Sequence, residues 1–109
     1  MTPITLNELK PYLFKNELQK TLIVDVRTPE EYLEKRLQGT INIPLNILPE
    51  KIKHLPKKGC LILHCAHGFR AKKGTEFLSS HGFESVFYVK GDIENWENDE
   101  LPVIYGDDD

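Results

Sequence analysis

The chain has 109 residues, enough for one domain with its own core, and an ordinary composition of 39% hydrophobic and 28% charged residues. Its net charge of −3 argues against a general nucleic-acid binder. No run approaches the ~18 apolar residues of a membrane span, so neither nucleic acid nor membrane is an expected partner. The local lysines (Lys51, Lys53, Lys57, Lys58, then Lys72 and Lys73) read as a solvated face.

In chain order, Thr5-Leu6-Asn7-Glu8 has the form of a capping box and opens a first helix. Pro11 removes an interior hydrogen bond, which predicts a kink or an early stop near Lys10. Leu22-Ile23-Val24-Asp25-Val26 reads as a buried central strand. Thr28-Pro29-Glu30-Glu31 is a strong helix start, with a cap, a proline at the first helical position and Glu at the third. After Gly39, Ile41-Asn42-Ile43-Pro44 predicts a short strand near a sheet edge, because proline ends it.

Residues 46–55 predict a weak helix interrupted by Pro49, and residues 60–64 a third strand. A helix follows over 72–80, with Phe77 and Leu78 as apolar contacts and Gly82 placed to stop it. Ser85-Val86-Phe87-Tyr88-Val89 is a fourth strand, then come a turn at Gly91-Asp92 and a short helix carrying Trp96, read as core packing. The alternation of strand and helix predicts an α/β domain over residues 1–105 with a mainly parallel sheet. Residues 106–109 form an acidic tail expected to be frayed and solvated.

His64-Cys65-Ala66-His67-Gly68-Phe69-Arg70-Ala71 joins the third strand to the third helix. A cysteine at a strand end, before a glycine turn and a helix N-terminus, faces backbone N–H groups that favour a thiolate and lower its pKa. Cys65 is therefore the candidate nucleophile. Ala66, His67, Gly68, Phe69, Arg70 and Ala71 form the anion loop, in which Gly68 lets amides turn inward and Arg70 holds the loop and attracts an anionic substrate. Side chains of Ala66, His67 and Phe69 are expected to face outward and shape the entrance.

His64 alternates with Cys65, so the two leave opposite faces of the sheet; it is expected to be a hydrogen-bonded residue behind the site. Asp25 and Arg27 end a strand on the same edge and read as a structural ion pair or helix cap, with Arg27 also meeting Glu31. A zinc site built from Cys60, His64, Cys65 and His67 fails on geometry. Cys60 and His64 lie about 13 Å apart in an extended strand, whereas zinc ligands converge within about 2.3 Å of one point. Cys60 and Cys65, about 16 Å apart, are too distant for a disulfide, which needs Cα atoms within about 7 Å. Two free thiols and no basic, apolar leader predict a reducing compartment, most simply the cytoplasm.

These landmarks resemble the rhodanese family of sulfurtransferases over nearly the whole chain. Leu22 to Arg27 with Glu31-Tyr32 is similar to its first signature, and Gly39-Thr40-Ile41-Asn42-Ile43-Pro44 to its second. Cys65 to Arg70 resembles the active-site loop, and Gly82-Phe83, Val86, Gly91 and Trp96 the closing motif. The chain departs from the family at Lys35-Arg36, where Gly-His is common, at Ala71, where Ser is common, and at Asp92, where a second glycine is usual.

The resemblance implies a five-stranded, mainly parallel sheet with helices on both faces and a persulfide formed on Cys65. It implies a small anionic sulfur donor such as thiosulfate, a thiol or protein-cysteine acceptor, and no metal or cofactor. Two other readings compete. Cysteine phosphatases and arsenate reductases share the Cys-to-Arg loop but place one residue more between them than the four here; removing it takes up to ~3.6 Å of contour from the cradle. A non-catalytic or sulfur-carrier interaction module of the same fold is the other.

Overall fold

A computed structural model describes residues 2–14, 21–90, 96 and 101–106. Strand β1 (Thr2–Ile4) leads into helix α1 (Leu6–Phe14), followed by β2 (Thr21–Asp25), α2 (Pro29–Glu34), β3 (Lys35–Leu37) and β4 (Ile41–Asn42). Residues 45–54 form successive short helical turns around α3 (Leu48–Lys51). Then come β5 (Cys60–His64), α4 (Phe69–Ser80), β6 (Ser85–Val89) and β7 (Val103–Tyr105). Five strands form one sheet in the order β1-β6-β5-β2-β4, every pairing parallel. The expected sheet and its edge strand β4 are both present.

Period-two alternation divides the core between the two faces of this sheet. On one face Val24, Leu61, Leu63, Cys65 and Val86 pack with Leu48 of α3 and with Ala71 and Leu78 of α4. On the other, Ile23, Ile62 and Val89 pack with Leu9 and Leu13 of α1 and with Trp96. Burying one such aliphatic side chain contributes about 1.5–3 kcal/mol. Both faces of β2 and β5 are therefore covered, which is why those strands read as nearly unbroken apolar runs. Gly74 lets α4 approach β5 closely: a Cβ there would lie 2.7 Å from Leu63 Cδ2.

Several expectations need correction. Helix α1 continues through Pro11 to Phe14 instead of stopping near Lys10. Leu9 and Leu13 lie one turn apart on a single buried face, and their burial offsets the one hydrogen bond that Pro11 cannot make. Pro49 does not interrupt a helix; it occupies the first turn of α3, where its missing N–H would have been unpaired anyway. Helix α4 starts at Phe69, not at residue 72, because Gly68 at φ +91° turns the chain directly into it. It ends as expected, with Gly82 at φ +90° and the Phe83 N–H donating to the Leu78 carbonyl at 3.2 Å.

Two elements were not anticipated. Strand β1 adds to the sheet edge beside β6, and a small antiparallel ribbon pairs β3 with β7. In that ribbon Arg36 is buried, donates to the Gly106 carbonyl at 2.8 Å and lies over the Tyr32 ring. Its role here is packing. Trp96 is buried as expected, whereas the Gly91-Asp92 turn and the acidic Asp107-Asp108-Asp109 lie outside the described residues. Among the described residues, no helix is long and apolar enough to cross a membrane.

Candidate active site

The site lies at the carboxyl edge of the parallel sheet, where open α/β sheets present loops to ligands. The Cys65 side chain, 4% exposed, follows the last residue of β5. Its Sγ accepts hydrogen bonds from the N–H groups of Gly68 at 3.1 Å and Ala71 at 3.3 Å. Both donors come from the loop and first turn of α4, so the sulfur occupies the positive end of a 12-residue helix. Gly68 makes this possible. It holds a left-handed backbone at φ +91°, which other residues rarely adopt.

The loop side chains divide differently from expectation. Phe69 is 76% exposed and His67 is also exposed, but Ala66 is buried and does not help form the rim. Ala71, fully buried, packs with the core beneath the loop.

Arg70 turns toward α2 and grips Glu31 with both prongs of its guanidinium, Nη1 to Oε1 at 2.6 Å and Nη2 to Oε2 at 3.0 Å. Glu31 also closes the capping box, accepting from the Thr28 N–H at 3.0 Å while its own N–H donates to Thr28 Oγ1 at 3.2 Å. The Arg70 hydrogen bonds, aided by Thr28 and opposed by burial, hold the Glu31 carboxyl down at about 2. Glu31 thus belongs to Arg70, not to Arg27 as anticipated.

Arg27 instead turns back on Asp25, donating from Nε and Nη2 at 2.8–3.0 Å, and also reaches the Lys35 carbonyl. The Arg27 N–H adds a further bond to Asp25 Oδ1 at 2.9 Å. Both residues are buried, at 3% and 0% exposure, and Asn42 ties the same backbone by donating to the carbonyls of Asp25 and Arg27. The structural ion pair is present. It is a pillar under the site edge.

His64 does lie on the opposite face from Cys65, edge-on to Trp96 with ring centroids 5.3 Å apart. It is not the hydrogen-bonded residue expected. Among the described residues, neither buried ring nitrogen has a hydrogen-bond partner, and Nε2 stands 3.6 Å from Asp25 Oδ2, beyond hydrogen-bond reach. The Arg27 pairing uses the Asp25 carboxylate that would otherwise meet the ring.

Burial lowers the His64 pKa from its ordinary 6.5; nearby Asp25 opposes this and Arg27 reinforces it. The unfolded chain therefore binds a proton that the folded one refuses. Below pH 6.5 this linkage removes stability as pH falls, until the lowered folded pKa is passed. The expected slope is up to about 1.4 kcal/mol per pH unit. Urea denaturation at a series of pH values, on wild type and His64→Leu, checks this: the slope in that window should flatten in the variant, and an unchanged slope excludes His64 as its source.

Beside the loop, Val26, Thr28, Pro44, Leu45, Asn46 and Arg70 line a cleft of ≈330 Å³. Cys60 opens instead onto a separate cleft of ≈390 Å³ with Ile4, Tyr12 and Phe87, on the other face of the sheet. Burial pushes its thiol pKa up. Sequence reasoning missed Glu31 as the partner of Arg70. Its place in a capping box was legible, but its nearness to a residue 39 positions later was not.

The fold and loop together define an open parallel-sheet domain with a cysteine cradled at a helix N-terminus. The sequence profile of the rhodanese-like domain family matches residues 5–99, and the chain belongs to that family. A sulfurtransferase of Allochromatium vinosum is 25% identical over 88 residues, covering 81% of this chain and 82% of its own. The thiosulfate sulfurtransferase GlpE of Glaesserella parasuis is 27% identical over 104 residues, covering 94% and 96%. Among solved structures, a rhodanese-related protein of Thermoplasma volcanium superposes with a TM-score of 0.78 at 31% identity, covering 95% of this chain and 98% of that one.

Proposed function

We propose that this chain is a sulfurtransferase that carries a sulfane sulfur as a persulfide on Cys65. The observation that carries the reading is the pair of N–H donors, from Gly68 and Ala71, aimed at Cys65 Sγ. The relatives named as sulfurtransferases support it.

The Cys65 thiolate attacks the outer sulfur of thiosulfate or a similar donor. A new S–S bond forms, the donor's S–S bond breaks, and sulfite leaves with the electron pair. The negative charge moves to the terminal sulfur of the persulfide. The loop N–H groups that converge on the cysteine sulfur, with the α4 dipole behind them, favour an anion in this pocket, including the terminal sulfur one S–S bond further out. A thiolate acceptor then attacks the terminal sulfur and regenerates the Cys65 thiolate. The exposed Phe69 beside the loop suits docking of a protein that bears the acceptor cysteine.

Incubation with excess thiosulfate followed by intact-mass measurement tests the proposal. One sulfur should be added, removed by a thiol reductant and absent in Cys65→Ala. No added sulfur, or addition that persists in Cys65→Ala, sinks it.

A further inference from the structure

We propose that Glu31 selects the charge of the sulfur donor: by gripping Arg70 it withdraws that cation from the site, so that a thiol persulfide is favoured over the dianion thiosulfate. This rests on the sulfurtransferase reading above.

The ion pair is two-pronged, at 2.6 and 3.0 Å, and both side chains are only about one-third exposed, at 34% and 35%. Glu31 is itself fixed by Thr28 in the first turn of α2, so its carboxylate is organised to receive the guanidinium. Held near 2, it remains an anion at every working pH. The neighbouring arginines are engaged as well: Arg27 is locked to Asp25 and Arg36 donates to the Gly106 carbonyl.

A donor reaching Cys65 therefore meets Arg70 already neutralised. Among the described residues, the hydrogen bonds that reach the sulfur come from the Gly68 and Ala71 N–H groups, and with the helix terminus they supply about half an elementary charge. That matches one negative charge better than two, because a dianion must shed more hydration to enter. With a persulfide donor, the Cys65 thiolate attacks the outer sulfur and the donor's S–S bond breaks. The donor leaves as a thiolate, and the outer sulfur, with any proton it bears, stays on Cys65.

Steady-state transfer to cyanide from thiosulfate and from cysteine persulfide, in wild type and Glu31→Gln, tests this. Glutamine preserves the capping geometry and removes the charge. The ratio of kcat/KM for thiosulfate over cysteine persulfide should rise about threefold, as expected for a unit cation released ~6 Å from a donor carrying one more negative charge than its competitor in water. The change should be carried by KM and should shrink as salt is added. In Glu31→Gln/Arg70→Gln the ratio should fall back to the wild-type value or below. A ratio unchanged in Glu31→Gln, or a rise that survives the second substitution, overturns the role of Glu31. Wild type that transfers sulfur from neither donor overturns the sulfurtransferase reading instead.

Discussion

Cys65→Ser should fold like the wild type yet lose sulfur transfer by on the order of 10³-fold or more. The substitution changes one atom in a buried position, and a hydroxyl oxygen can accept the same two N–H groups that meet the sulfur at 3.1 and 3.3 Å. The chemistry has no such substitute. A serine hydroxyl is neutral near pH 7, and among the described residues neither His64, which leaves the opposite face of the sheet, nor Glu31, which is occupied by Arg70, serves it as a base. It can neither attack a sulfane sulfur efficiently nor carry the product as a persulfide. Thiocyanate formation from cyanide, alongside a thermal melt, separates the two effects. Transfer near the wild-type rate in a variant that melts normally would refute a Cys65 persulfide.

The second large effect concerns stability. Asp25→Ala should cost about 3–5 kcal/mol, a large share of the 5–15 kcal/mol typical of a whole domain. Asp25 accepts from the Arg27 N–H, Nε and Nη2, and the arginine is 3% exposed. Removing the carboxylate leaves a guanidinium buried without its counter-charge, next to a histidine whose nitrogens already lack hydrogen-bond partners among the described residues. The double variant Asp25→Ala/Arg27→Met should recover a substantial part of the loss, because no charge is then stranded. Chemical denaturation of the three proteins measures both. A single-variant loss below about 1 kcal/mol, or a double variant no more stable than the single, would show that the pair does not support the site edge.

How the site and fold were legible follows from the range of the forces involved. Strands β2, β5 and β6 were visible because burial on both faces imposes β-branched and apolar runs within five residues. The boxes at Thr5-Glu8 and Thr28-Glu31 were visible because capping joins residues three apart. Opposite faces for His64 and Cys65 followed from the pleat alone.

Strand β1 was invisible because Thr2–Ile4 becomes a strand only by hydrogen-bonding to β6, more than 80 residues on. The β3–β7 ribbon was hidden by charged Lys35 and Arg36; the burial of Arg36 needs the Gly106 carbonyl and the Tyr32 ring. The burial of Ala66 and the stranded nitrogens of His64 depend on neighbours that no local pattern names.

The residues 64–71 by themselves determined a cysteine at a strand end, a glycine turn and a following helix, since each is a property of adjacent peptide units. Only the tertiary structure decided which N–H groups reach the sulfur and which acid claims Arg70. The sheet order sets β2 beside β5, bringing α2 and its Glu31 to the loop, and that order arises from long-range packing rather than from any local preference.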